Sequence, residues 1–239
     1  MKLGEKDRGR TPLVLAACGS FSPITYLHLR MFEMVKDWAR ENTRYTLIGG
    51  YLSPVGDAYK KDGLAAAKDR VNMCELAVQQ YAQGVIMVDT WEARQQYQPT
   101  AKVLDHFNYE LNDRMGGVED ADGNKVRVRV ALLGGADLVE TFINPGVWSP
   151  VDLTHILSGV VGAFIIERAG TDLNDILTKL QPEWREHIYV IKQKIRNDVS
   201  STKIRSSLRK NESIRFLVPE PVIGYIEEHG LYAAPGEVQ

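Results

Sequence analysis

The stretch "LVLAACGSFSPITYLHLRMFEMVKDWA", Leu13 to Ala39, joins two hydrophobic periodicities through a turn. Leu13 to Cys18 is an unbroken apolar run, the pattern of a central parallel strand covered on both faces. Gly19-Ser20 interrupts it. From Leu27 onward Leu27, Met31, Phe32, Val35, Trp38 and Ala39 recur at helical spacing. Pro23 suits the turn and Thr25 is a good N-cap, which places His28 at the third helical position. The helix thus begins by directing free N–H groups, its positive dipole end and an imidazole at one spot, an arrangement that favours an anion.

Outward from this unit, strands and helices alternate. Strands are expected near Tyr45–Leu52, Val85–Val88, Val126–Leu133, Gly162–Glu167 and His187–Ile191. Helical segments are expected at Ala65–Gln80, Ala101–Leu111 and Asp137–Phe142. The alternation predicts an α/β fold, a Rossmann-like doubly wound parallel sheet with helices on both faces. The polar, aperiodic stretch Asn112 to Lys125 reads as a surface loop or a β-turn linker. No repeat or domain boundary stands out, and 239 residues suit a single domain with a helical part from about 197 to 232. In such sheets ligands sit beyond the carboxyl ends of the strands, so the residues after each strand matter most.

Two more stretches have that position and chemistry. "LLGGADLVETF", Leu132 to Phe142, is strand, double glycine, acid and helix. Gly134 and Gly135 let a ligand approach the backbone, and Asp137 is either an acceptor for a ribose hydroxyl or an ordinary acid in a first helical turn. "RNDVSSTKIRSSL", Arg196 to Leu208, offers Ser200 or Ser201 as N-cap, with Thr202, Lys203 and Arg205 following. Cations at a helix start oppose the dipole unless an anion neutralises both, so this is a second anion site. Neither G-x-G-x-x-G nor G-x-x-x-x-G-K-[ST] occurs at a strand-to-helix turn, which argues against an ordinary dinucleotide dehydrogenase and a P-loop nucleotidase.

Composition excludes several classes. Net charge is −2 and the isoelectric point is near 6.2, so nothing favours wholesale nucleic-acid or membrane binding. Cys18 and Cys74 form no disulfide framework, and Cys18 reads as a small apolar residue. The N-terminus is too polar for a signal peptide, and no apolar run approaches the roughly 20 residues of a membrane span. The expectation is an intracellular protein, cytoplasmic or nuclear. His106, His155, His187 and His229 have no metal-ligand spacing.

"GSFSPITYLH" and "SSTKIR" resemble the two signature elements of the nucleotidyltransferase superfamily. Within it, "SPVGDAYKKDGL" (Ser53–Leu64), "VDTWEARQQYQPTAKVL" (Val88–Leu104), "GGADLVETFINPGVW" (Gly134–Trp148), "ERAG" (Glu167–Gly170) and "NDVSSTKIR" (Asn197–Arg205) resemble, in order and spacing, the eukaryotic-type nicotinamide/nicotinate mononucleotide adenylyltransferases. The resemblance runs from about Leu13 to Tyr232. Thr25 stands where the superfamily often has a first histidine, and Ser22 where this family often has asparagine.

The resemblance implies transfer of the adenylyl group of ATP to nicotinamide or nicotinate mononucleotide, with Mg²⁺ held mainly by substrate phosphates and water, and a homo-oligomer. It implies catalytic roles for His28, Lys203 and Arg205. Gly19, Ser20 and Phe21 would line the nucleotide backbone, Lys60 or Lys61 and Ser201, Thr202 and Ile204 would meet phosphate, and Gly135 and Asp137 would face ATP's nucleoside. Tyr97, Thr100, Trp148, Arg168 and Asn197 would face the mononucleotide, although Trp148 and Tyr97 taken alone are more often packing aromatics. Two rivals remain. A superfamily enzyme with another acceptor would not carry the Val88–Leu104 and Gly134–Trp148 stretches, and a silent chaperone or binding relative would be expected to lose His28 or Arg205.

Overall fold

The computed structural model describes residues 3–81, 84–157, 162–167 and 173–233. In chain order the elements are β1 (Thr11–Gly19), α1 (Tyr26–Asn42), β2 (Tyr45–Pro54), α2 (Ala67–Tyr81), β3 (Ile86–Val88) and α3 (Thr100–Asn108). A hairpin of β4 (Val118–Glu119) and β5 (Lys125–Val126) follows, then β6 (Arg129–Gly135), α4 (Ala136–Phe142), α5 (Pro150–Leu157), β7 (Ala163–Ile166), α6 (Leu173–Thr178), α7 (Pro182–Arg185), β8 (Ile188–Ile191), α8 (Ser201–Leu208) and α9 (Glu220–Glu228).

Six strands form one sheet in the order β3-β2-β1-β6-β7-β8. β1, β6, β7 and β8 are parallel, with Leu13 beside Arg129, Gly135 beside Ile166 and Ala163 beside Ile188. The order runs outward from β1 to β3, then restarts at β6 and runs the other way, the reversal that defines a doubly wound sheet. Leu13, Leu15 and Ala16 in β1 and Ala131, Leu132 and Leu133 in β6 are buried, as their continuous apolar runs predict. No helix among the described residues is long and apolar enough to cross a membrane.

Two compact units divide the chain. The first comprises Met1–Cys18, Met31–Gly50 and Gln98–Asn197; the second comprises Gly19–Arg30, Tyr51–Tyr97 and Asp198–Gln239. In the first, Arg10 caps the end of α1: its guanidinium donates to the carbonyls of Ala39, Arg40, Thr43 and Tyr45 at 2.7–3.3 Å. In the second, α2 and α9 are tied by the Tyr225 hydroxyl, which donates to Asp69 and accepts from Asn72, both at 2.9 Å.

Two expectations change locally. The strand predicted through Val126–Leu133 breaks at Arg127–Val128, because the Asn112 carboxamide takes both backbone groups of Val128, accepting at 2.6 Å and donating at 2.9 Å. The stretch Asn112 to Lys125 is not merely a loop. It finishes a π-helical turn over Tyr109–Arg114 and then forms the β4–β5 hairpin, whose turn is closed by Asp120 accepting from the N–H groups of Asp122 and Asn124. Gly117, at φ +78°, is obligatory there: a Cβ would lie 2.2 Å from the Val126 carbonyl oxygen.

Candidate functional site

The turn after β1 and the start of α1 lie in the second unit. Phe21 sits at φ 45°, a left-handed conformation that turns its ring back over Gly19, where a Cβ would meet the ring at 3.3 Å. The ring also stands edge-on to His28, with centroids 5.2 Å apart. Thr25 does not cap the helix in the expected sense. The roles are exchanged: Nδ1 of His28 accepts from the Thr25 backbone N–H at 3.0 Å and lies 2.8 Å from its hydroxyl, as a glutamate does in a capping box.

That exchange decides the imidazole's chemistry. A backbone N–H only donates, so Nδ1 carries no proton, and burial pushes the ring's pKa down from 6.5 to about 4. At neutral pH His28 is therefore neutral with its proton on Nε2, a fixed hydrogen-bond donor.

The start of α8 is tied to the turn that precedes α1. Ser200 is the N-cap of α8, accepting from the Lys203 N–H at 3.3 Å. Ser201 donates to the Pro23 carbonyl at 2.8 Å, and Arg205 donates to the Ser22 carbonyl at 2.7 Å and to the Thr202 hydroxyl at 3.4 Å. Arg205 is only 6% exposed, and its Nε has no hydrogen-bond partner among the described residues. Gly63, at φ +72°, lets the Lys60–Gly63 loop pass over that nitrogen, since a Cβ there would be 3.3 Å away. Lys60, Lys61, Thr202 and Lys203 are exposed, Lys203 being paired with Asp198, whereas the Ile204 side chain is core.

Two residues that organise this turn were not read from the sequence. Arg70, fully buried, donates to the carbonyls of Ser20 at 3.0 Å, Val55 at 2.7 Å and Ala65 at 2.9 Å, so one guanidinium joins the turn after β1 to both ends of the β2–α2 connection. Its signal was available: it occupies the apolar stripe of α2 formed by Ala67, Met73, Cys74 and Ala77, where a cation is out of place. Tyr232 reaches the buried Ser22 hydroxyl at 2.8 Å, and that hydroxyl also accepts from Ala65 N–H at 3.0 Å. Burial raises the Tyr232 phenol to about 12.

Farther along the same unit, a short 3-10 turn at Glu92–Arg94 carries a buried carboxyl that accepts from Ser53 at 2.5 Å. Burial raises Glu92 from 4.5 to about 7. Between those values the folded chain keeps a proton that the unfolded chain releases, so this group lowers stability as pH rises. His28 acts oppositely between about pH 4 and 6.5, where the unfolded chain binds the proton that the folded chain refuses. Glu92→Gln removes the first effect and keeps the second. Thermal melts should therefore show the variant gaining on the wild type as pH rises from about 5 to about 7.5; parallel profiles would contradict this.

Tyr97, 60% exposed, follows that turn. The first unit holds the other expected residues. A Cβ on Gly134 would lie 2.5 Å from the Leu138 side chain, so α4 packs closely over it; Gly135 faces open space. Asp137 is exposed in the first turn of α4. Trp148 is partly exposed, its indole N–H donating to Thr141 at 2.8 Å and its ring edge-on to Phe142 at 5.1 Å. Thr100 opens α3, and the Asn197 N–H donates at 3.0 Å to Gln193, whose amide donates to the Glu167 carbonyl at 3.0 Å. Arg168 lies outside the described residues. The structure thus groups Gly19, Ser20, Phe21, His28, Ser201, Thr202, Lys203 and Arg205 within one unit, and Gly135, Asp137, Thr100, Trp148 and Asn197 within the other.

Residues 16–207 match the family model described as cytidylyltransferase-like. The chain is 52% identical over 95% of its length to the nicotinamide/nicotinic acid mononucleotide adenylyltransferase 1 of Saccharomyces cerevisiae and covers 57% of that protein. It is also 52% identical over 95% of its length to the Schizosaccharomyces pombe protein of that name, covering 62% of it. The chain therefore spans about three-fifths of these fungal relatives. Against the Bos taurus protein 1 of that name identity is 40%, with 95% of this chain and 91% of the other covered. A crystal structure from Vibrio parahaemolyticus, 12% identical with a TM-score of 0.53 over 93% of this chain and 95% of the other, shares the fold.

Proposed function

This chain belongs to the nicotinamide/nicotinic acid mononucleotide adenylyltransferase family within the cytidylyltransferase-like group, and from that premise we propose that it joins ATP to nicotinamide or nicotinate mononucleotide, giving NAD or its deamido form and pyrophosphate. The observation that carries the reading is the pairing of two helix starts. α1 presents a neutral imidazole with Nε2–H as donor, α8 presents Lys203 and Arg205, and Ser201–Pro23 and Arg205–Ser22 hydrogen bonds tie the two together. Such an arrangement grips a chain of phosphates.

The chemistry needs no protein nucleophile. The mononucleotide's 5′-phosphate, with a second pKa of about 6, is mostly dianionic at neutral pH. Its oxygen attacks the α-phosphorus of ATP while the bond to the bridging α–β oxygen breaks, so pyrophosphate leaves with the electron pair. The enzyme aligns the groups and offsets the charge that accumulates on them. His28 Nε2–H donates to the reacting phosphates, Lys203 and Arg205 hold the departing end, and Lys60 or Lys61 adds a further cation. Gly19–Phe21 and the start of α8, Ser201 to Ile204, line the phosphates through the backbone, with Gly135 and Asp137 at the nucleoside.

Among the described residues no group of three or more His, Cys, Asp or Glu side chains gathers. Mg²⁺ entering with ATP is assigned to phosphate oxygens and water on the family resemblance alone. In this reading the chain is one nucleotidyltransferase domain, and assembly as a homo-oligomer and intracellular residence belong to the same proposal. The test is incubation of the protein with ATP, Mg²⁺ and each mononucleotide, followed by chromatography; no dinucleotide from either would overturn the reading.

The pyridine ring, cationic when bound to ribose, is assigned to Trp148 and Tyr97, with Thr100, Arg168 and Asn197. The Thr141 and Phe142 contacts fix the Trp148 plane while leaving part of it exposed. Stacking and cation–π attraction of about 0.5–2 kcal/mol correspond to roughly 2–30-fold in affinity. Trp148→Ala should raise KM for the mononucleotide by that factor and leave KM for ATP nearly unchanged. Equal loss for both substrates, with about 3–5 kcal/mol of stability lost, would make Trp148 a packing residue instead.

A further inference from the structure

The segment from Asp89 to Tyr97 is fastened to the end of β2 and the residues just after it, within the second unit. Asp89 N–H donates to the Leu52 carbonyl at 2.9 Å, and Ser53 donates to Glu92 Oε2 at 2.5 Å. Gly56 lies under the turn, since a Cβ would stand 2.8 Å from the Gln95 carbonyl and 3.3 Å from that of Glu92. The same stretch of chain reaches the phosphate turn, because Val55 N–H donates to the Gly19 carbonyl at 3.0 Å. Glu92 and Ser53 are 5% and 0% exposed, so their contact is a buried side-chain fastening of a segment that ends in the exposed Tyr97. A carboxyl is an expensive group to bury, and here it serves one contact between the end of β2 and the 3-10 turn, which the reaction, as assigned above, needs in register.

We propose that Glu92 is a positioning residue which, through Ser53, holds the 89–97 segment so that Tyr97 meets the pyridine ring. This rests on the functional reading above. The groups that face Glu92 set its response to pH: Ser53 and Arg70 favour its charged form, Asp89 opposes it, and burial outweighs them, so it titrates near neutrality. Protonated and ionised Glu92 make different hydrogen bonds with the Ser53 hydroxyl, accepting in both but also able to donate when protonated. Mononucleotide binding therefore carries a pH dependence beyond that of its own phosphate.

Steady-state kinetics of the wild type, Glu92→Ala, Ser53→Ala, Glu92→Gln and Tyr97→Ala, at pH values from about 6 to about 8, test this together with amide hydrogen exchange. Glu92→Ala and Ser53→Ala should raise KM for the mononucleotide about tenfold, the scale of a lost hydrogen bond to a charged group, with KM for ATP changed less than about twofold. Glu92→Gln, which keeps an acceptor, should restore most of the affinity and flatten the additional pH dependence. Exchange in Glu92→Ala should quicken across 89–97 and not across α8. A parallel rise in both KM values, an unchanged mononucleotide KM, or unchanged exchange at 89–97 would overturn the proposal. An unchanged mononucleotide KM in Tyr97→Ala would overturn its link to the ring, and a wild-type protein that forms no dinucleotide would overturn the functional reading itself.

Discussion

Arg70→Ala is expected to be the most destabilising single substitution in the turn region, costing about 3–5 kcal/mol and lowering the melting temperature by roughly 6–20 °C. One guanidinium satisfies the carbonyls of Ser20, Val55 and Ala65 at 2.7–3.0 Å, and the side chain is shut off from water. Burial lowers its pKa and the nearby Asp57 raises it, but an arginine stays charged throughout. Truncation leaves three acceptors without this donor and a void between the turn after β1 and the β2–α2 connection. Arg70→Lys should recover only part of the loss, because a point ammonium cannot reproduce a planar fork aimed at three directions. Thermal melts of the three proteins measure this. A melting temperature within about 3 °C of wild type for Arg70→Ala, roughly the effect of 1 kcal/mol, would show that the loops hold themselves.

His28→Ala is expected to lower turnover by roughly 10²–10³, the scale for one preorganised donor aimed at developing charge. The substitution also removes the acceptor for the Thr25 N–H, so stability and chemistry must be separated. His28→Gln does so. Glutamine at the third helical position reaches back to the N-cap as imidazole does here, yet it does not place a donor where Nε2–H stands. The variant should melt close to wild type and still turn over at least about tenfold more slowly. If His28→Gln restores both, the histidine is only a cap.

The residues that were legible in the sequence are those whose roles are local. The apolar run of β1, the helical spacing of α1, the glycines that end β6 and the serine start of α8 each announce themselves within about ten residues, because strand burial and helix capping are short-range. What was not legible depends on partners far along the chain. Arg70 meets Ser20, Glu92 meets Ser53, Tyr232 meets Ser22, and Asn112 interrupts a strand at Val128. Nothing in a window around any one of these residues specifies its partner. The exchanged cap at Thr25 and His28 is a different case: residues and spacing were plain, but an imidazole accepting at the third position looks the same in sequence as one donating outward. Gly134 and Gly135 divide similarly, one kept small by Leu138 and the other open, a distinction set by a side chain one helical turn away.

The central claim is that two tied helix starts transfer an adenylyl group between a nucleoside triphosphate and a pyridine mononucleotide. Its most direct test is chromatography of the products after the wild-type protein, ATP and Mg²⁺ are incubated with nicotinamide mononucleotide or nicotinate mononucleotide, with pyrophosphate measured in the same samples. NAD, its deamido form, or both are expected, each formed in equal amount with pyrophosphate. Pyrophosphate or ADP released without a dinucleotide, or no consumption of ATP with either acceptor, would contradict it.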